Sequence, residues 1–120
     1  DRFGDIWCGI LMKRVADHLG LAVTSGTPYI RHDRASDPFT NLVKESHGIG
    51  INEIFWERVD KMKLPDFSGD NGFSISIDDK CLICYKELGK QMHHAFIDTQ
   101  YAWYFDMLGD AMVAWADLFD

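Results

Sequence analysis

Apolar side chains recur at helical spacing along most of this 120-residue chain, and that period limits its fold more than any other feature. Between Asp5 and Leu19, Trp7, Leu11, Val15 and Leu19 recur every fourth residue, Ile6, Cys8, Met12 and Ala16 widen the stripe, and Lys13, Arg14 and Asp17 lie opposite. Such a stripe predicts a helix buried along one face, capped by Asp5 and stopped by Gly20. Ile51, Ile54, Phe55, Val59 and Met62 repeat the pattern, with Asn52 as cap and Leu64-Pro65 as stop. A third helix, opened by Ser76 with Asp79 as a capping box, carries Cys81, Tyr85, Leu88, Met92 and Ala95 on one face. A fourth, starting at Asp98 or Thr99, buries Tyr101, Phe105, Leu108, Met112, Trp115 and Phe119. These last two predict an antiparallel helical hairpin.

The region before residue 51 is less uniform. Leu21–Thr24 reads as a short strand, Ser25-Gly26 as a turn, and Tyr29–Arg31 as a second strand entered from Pro28. Two strands alone make no stable sheet, so they must extend one or cover a helical layer. Asp37-Pro38 opens a short helix to about Ser46 that buries Phe39, Leu42 and Val43, and Gly48 and Gly50 then form a joint. The loop from His32 to Ser36 is held between a strand end and a helix N-terminus. α/β proteins commonly hold anions and metals in such places.

Composition narrows the function. A net charge of −7 argues against a broad nucleic-acid surface, and 47% hydrophobic with 13% aromatic residues argues against disorder. No apolar run reaches the ~18 residues of a membrane span. Three cysteines suit a reducing compartment better than a disulfide framework. The opening DRFGD reads as the middle of a loop feeding a helix, so sequence upstream is expected.

Several motifs are weaker than they look. Cys81-x-x-Cys84 has knuckle spacing but no second pair and lies on an apolar helix face, which favours core thiols. His93-His94 are adjacent on a helix, about 100° apart, and cannot chelate together. The loop Asp66–Gly72 imitates an EF-hand start, yet has Asn71 at the sixth position and Ile77 at the twelfth, so a calcium site is rejected. Tyr101, Trp103, Tyr104 and Phe105 could stack sugars, but their period favours a core or a subunit interface. His32 stands apart by its place at a strand end, where a structural histidine and a metal ligand are both open readings. Asp5 is open to both a capping role and that of a fixed charge beside a cleft. Arg31 and Arg34 flank His32, and a pyrophosphate would suit that basic segment.

Five stretches then carry a resemblance: DIWCG (Asp5–Gly9), DHLGL (Asp17–Leu21), GTPYIRHDRASDPFTNL (Gly26–Leu42), CYKELGK (Cys84–Lys90) and DAMVAW (Asp110–Trp115). In this order they resemble the reversibly glycosylated polypeptides, the UDP-arabinopyranose mutases of plants and their microbial relatives. The resemblance implies an α/β, GT-A-like domain, of which residues 1–120 form a single C-terminal portion, mostly α-helical with a short two-strand element. It divides into a helix, strands and the His32 loop over 1–50 and a helical part ending in the hairpin over 51–120. The family's nucleotide-binding strands, acidic metal motif and glycosylated arginine all lie N-terminal to the matched region.

By position, the resemblance implies Asp5 as the catalytic acid lining the sugar pocket and His32 as a metal ligand, with Arg31, Arg34 and Ser36 binding substrate. It implies a UDP-sugar substrate, a divalent cation (Mn or Mg) in the complete protein, and homo- or hetero-oligomers with family members. It further implies a cytoplasmic protein, peripherally Golgi-associated in a eukaryote, while charge and composition lead to no nucleic-acid partner and no membrane span being expected. Gly4 stands where the family commonly has a second acid, Asp37 where it has Asn, and Asp33 where it has a small polar residue. Extra negative charge beside a diphosphate implies a different substrate or metal dependence. A GT-A transferase with another acceptor, and a non-catalytic helical assembly module, are the alternatives.

Overall fold

The computed structural model describes residues 3–27, 37–69 and 74–119. Five α-helices follow in order: α1 (Gly4–His18), α2 (Pro38–Glu45), α3 (Ile49–Lys61), α4 (Ile77–Phe96) and α5 (Ala102–Ala116), with a 3-10 turn (Ser46–Gly48) joining α2 to α3. The described part is thus mostly helical, as the period predicts, and contains no strand. α4 and α5 form the expected hairpin, and α1 packs across α3 and α4.

One aromatic ring from each of four helices meets at the centre. Trp7 of α1 stacks on Phe55 of α3 at 4.9 Å, Phe55 on Phe96 of α4 at 5.6 Å, and Phe96 on Phe105 of α5 at 3.9 Å. The three phenylalanines are fully buried, each contributing about 1.5–3 kcal/mol of burial. Trp7 also donates its indole N–H to Asn52 Oδ1 at 2.6 Å. The ring cluster is therefore oriented by a hydrogen bond as well as by contact.

The segment after α3 is tied down by polar groups. Gln91 of α4 exchanges two hydrogen bonds with the Lys63 backbone (3.1 and 2.7 Å), Arg14 donates to the Met62 carbonyl (3.0 Å), and His18 Nε2 lies 2.7 Å from the Pro65 carbonyl. Arg58 fastens α3 to the far end of α4, donating to Ala95 O and pairing with Asp98. The Arg58 guanidinium holds the Asp98 carboxyl below its usual range.

Helix ends follow local chemistry where side chains are free to act. Asp37 accepts the Phe39 N–H at 3.0 Å with Pro38 in the first turn, and Ser76 accepts the Asp79 N–H at 3.0 Å. Gly20 closes α1 at φ +67°, the Leu21 N–H bonding Ala16 O (2.8 Å) and the Gly20 N–H bonding Asp17 O (3.2 Å).

Other expectations are corrected. Leu21–Thr24 is not a strand: Leu21 closes the end of α1, the segment is exposed, and no ladder partner stands among the described residues. Its expected partner, Tyr29–Arg31, lies outside them. Asp5 does not cap α1. The helix begins at Gly4 with Phe3 at the cap position, because the Phe3 ring stacks on Trp7 (5.8 Å) and covers Gly48. A Cβ on Gly48 would lie 1.8 Å from that ring, so Gly48 is a seat for Phe3, not a joint. Asn52 lies inside α3 and serves Trp7 instead of capping. Neither Asp98 nor Thr99 begins α5, which has Tyr101 at its cap position; Asp98 is engaged by Arg58. Phe39, Leu42, Val43, Trp115 and Phe119 are exposed rather than buried, as is Ile54 at the edge of its stripe.

Sequence periodicity also passes over how closely the hairpin closes. A Cβ on Gly109 would stand 2.5 Å from Gly89 O, so the two backbones touch where these glycines cross. Gly109→Ala should therefore lower unfolding free energy in urea by roughly 2–4 kcal/mol, since backbone cannot yield as a side chain does. Gly9→Ala, with nothing within 4 Å, should be neutral or gain up to about 1 kcal/mol of helix propensity.

Candidate functional site

Asp5 occupies the first turn of α1, exposed, and its carboxylate makes no hydrogen bond or ion pair with another described residue. A carboxylate there is favoured by the unpaired N–H groups of the helix start. It stands two positions from both Phe3 and Trp7, about 200° round the helix from each, and so projects away from the ring cluster. The buried face of α1 thus leaves this acid open to solvent. His32, Arg31, Arg34 and Ser36 lie outside the described residues. Asp37, at the end of that loop, is committed to its own helix through the Phe39 N–H and the Thr40 hydroxyl (3.0 Å).

Elsewhere several titratable groups have structural partners. His93 Nδ1 lies 2.9 Å from Asp106 Oδ1, linking α4 to α5, while His94 is exposed. Among the described residues no three His, Cys, Asp or Glu side chains converge as a metal site. The two helix thiols are core groups, as their spacing suggests: Cys84 is fully buried and Cys81 half-buried. Burial, with Cys81 beside it, pushes the Cys84 thiol up to about 11, and burial with the nearby Asp78 charge raises Cys81. Neither is a nucleophile at neutral pH.

Two clefts flank α1. One, about 370 Å³, runs between α1 and α3 past Ile6, Ile10 and Trp56. The other, about 270 Å³, is walled by Phe3, Trp7, Tyr101, Trp103 and Tyr104, with His47 at its edge. Local spacing could not show the second, because its walls come from three helix ends distant in sequence. The aromatic run from Tyr101 divides between the two uses considered for it: Phe105 is core, whereas Trp103 is 68% exposed.

Fold and surface together define a small helical unit with an exposed acid, Asp5, at the start of α1 and no assembled catalytic set among its described residues. The chain belongs to the reversibly glycosylated polypeptide family, whose model it matches over residues 1–120. It is 39% identical over 121 residues to UDP-arabinopyranose mutase 1 of Arabidopsis thaliana, which covers 99% of this chain and 30% of that relative. Over 121 residues it is 39% identical to UDP-arabinopyranose mutase 1 of Oryza sativa subsp. japonica, covering 99% of this chain and 29% of that protein. With probable UDP-arabinopyranose mutase 1 of Solanum tuberosum the identity is 38% over 124 residues, at 99% and 29% coverage. The chain therefore spans less than a third of the length of these curated relatives. No solved structure matches it. Among the described residues no helix is long and apolar enough to cross a membrane.

The thiols give a direct check. At pH 8, alkylation should modify exposed Cys8 readily and leave Cys84 unmodified until denaturant is added. The folded state holds the Cys84 proton to about pH 11, whereas an unfolded thiol loses it near about pH 8.5, so its contribution to stability is complete below that value and vanishes as pH rises through 11. Urea unfolding between those limits should show a steeper decline with pH for wild type than for Cys84→Ala.

Proposed function

We propose that this chain is the C-terminal part of a UDP-arabinopyranose-mutase-like protein that interconverts the pyranose and furanose forms of a UDP-pentose. The observation carrying this reading is a match over nearly the whole chain: 99% of it aligns with relatives of that name at 37–39% identity. In this reading the complete protein is a GT-A-like α/β domain and this fragment alone is inactive.

The chemistry asks for two things. Cleaving the anomeric C–O bond leaves a cation-like sugar and a UDP anion, so the leaving diphosphate must be neutralised and the sugar sheltered from water. Arg31 and Arg34 answer the first need, with Ser36 as a further donor to the diphosphate. Asp5, exposed and unpaired among the described residues, answers the second by stabilising positive charge on the sugar or orienting its hydroxyls. The sugar O4 then bonds to C1 and gives up its proton, and the UDP oxygen recaptures C1 as the old C1–O5 ring bond breaks and O5 takes up a proton, so the furanose forms with no net loss of atoms. A divalent cation, held by His32 and carboxylates outside this chain, would offset diphosphate charge. The described residues contain no donor set for it, and no step is routed through it.

One observation favours a second reading, a non-catalytic assembly module. Trp115 and Phe119 are exposed with rings 4.8 Å apart, and Tyr85 meets Trp115 at 5.5 Å. Charge at Trp115 would then abolish association while Asp5 and His32 proved dispensable; Phe105 is buried and cannot serve in that test.

The deciding assay gives a complete protein containing this chain UDP-arabinopyranose and follows the furanose isomer by chromatography. Changing Asp5→Asn and His32→Ala together should lower turnover by at least about 100-fold. Full turnover in that variant defeats the proposal. Calorimetric titration of the isolated chain with UDP and manganese should show no tight binding; tight binding would mean that the site is already whole.

A further inference from the structure

Among the described residues α2 is left largely uncovered. No residue of Pro38–Glu45 is buried, and its main packing is against the 3-10 turn that follows it. Yet it is strongly two-faced: Phe39, Leu42 and Val43 fall within an arc of about 100°, with Thr40, Asn41, Lys44 and Glu45 on the remainder. Those three apolar side chains are 79%, 59% and 68% exposed. Single exposed apolar residues are ordinary, but a contiguous stripe on a helix this short is not. Eight residues fall well below the ~12–15 at which an isolated helix becomes even marginally stable in water, and the Asp37 cap contributes only about 1 kcal/mol.

We infer that the Phe39–Leu42–Val43 face is the seat for the part of the family polypeptide that this chain does not match. The inference rests on the family reading proposed above. The matched segment, α2 included, makes up only 29–30% of each relative, so more than twice its length of chain is left to supply a cover. A second copy is the poorer occupant on area. Three such side chains expose on the order of 400 Å², against about 800 Å² per partner in a standard interface between separate molecules. A face of that size is one part of a larger intramolecular junction.

Two contexts test this: the isolated 120-residue chain, and a chimera in which it replaces the matched segment of Arabidopsis UDP-arabinopyranose mutase 1. In the isolated chain, Phe39→Asp and Val43→Asp should each leave Tm within about 1 °C, because both side chains already face water. In the chimera the same changes should lower Tm by at least about 5 °C, and α2 amides should exchange hydrogen about 100-fold more slowly than in the isolated chain. Intact Arabidopsis protein, changed to Asp at the position aligned with Val43, repeats the Tm measurement without a chimera. Equal exchange in both contexts, or a neutral Asp in the longer protein, overturns the inference. So does protection in the isolated chain that rises with concentration and disappears in Val43→Asp, which would identify a second copy as the cover. The readouts are stability and exchange, so a well-folded longer protein that makes no furanose product would defeat the mutase reading and leave this one standing.

Discussion

The stacking of Trp7, Phe55, Phe96 and Phe105 is the contact on which the remaining structure depends. Each ring comes from a different helix, so the stack ties all four elements to one another. The hairpin alone could form from α4 and α5, whose glycines let the backbones touch. α1 and α3 join it through these rings, through core side chains such as Leu11, Val15, Ile51 and Val59, and through the polar ties of Arg58 and Gln91. Trp7 has the widest reach, since it also meets Tyr104 and bonds Asn52.

That junction sets how α1 presents its first turn. With Phe3 held over Gly48 and Trp7 turned inward, the helix begins one residue before Asp5, and the acid is left on the outer face with no capping duty. The carboxylate is thereby left exposed in the first turn of α1 without a capping bond. This gives the family resemblance at Asp5 a physical setting, although the His32 loop lies outside the described residues.

The outer surface is unlike that of a self-sufficient small domain. Its core has no buried polar or charged residue among those described, while Phe39, Val43, Trp103, Trp115 and Phe119 stand open to solvent. Of these, Trp103 shares a cleft wall with Trp7, while the others lie at the ends and edges of helices.

By itself, the sequence determined the helices, the hairpin, the caps at Asp37 and Ser76, the stop at Gly20 and the family, because each depends on local periodicity, a single side chain or a linear motif. It named Asp5 and the His32 loop as a candidate site through residue type and resemblance, but it could not say which groups were free to act. Tertiary structure decided that Asn52 bonds an indole instead of capping, that Gly48 and Gly109 are points of close approach, and that Leu21–Thr24 joins no ladder among the described residues. It also decided which apolar stripes are core. Phe39 and Phe55 look alike in sequence, yet one is 79% exposed and the other 0%, because burial is a property of what packs against a side chain and not of the side chain.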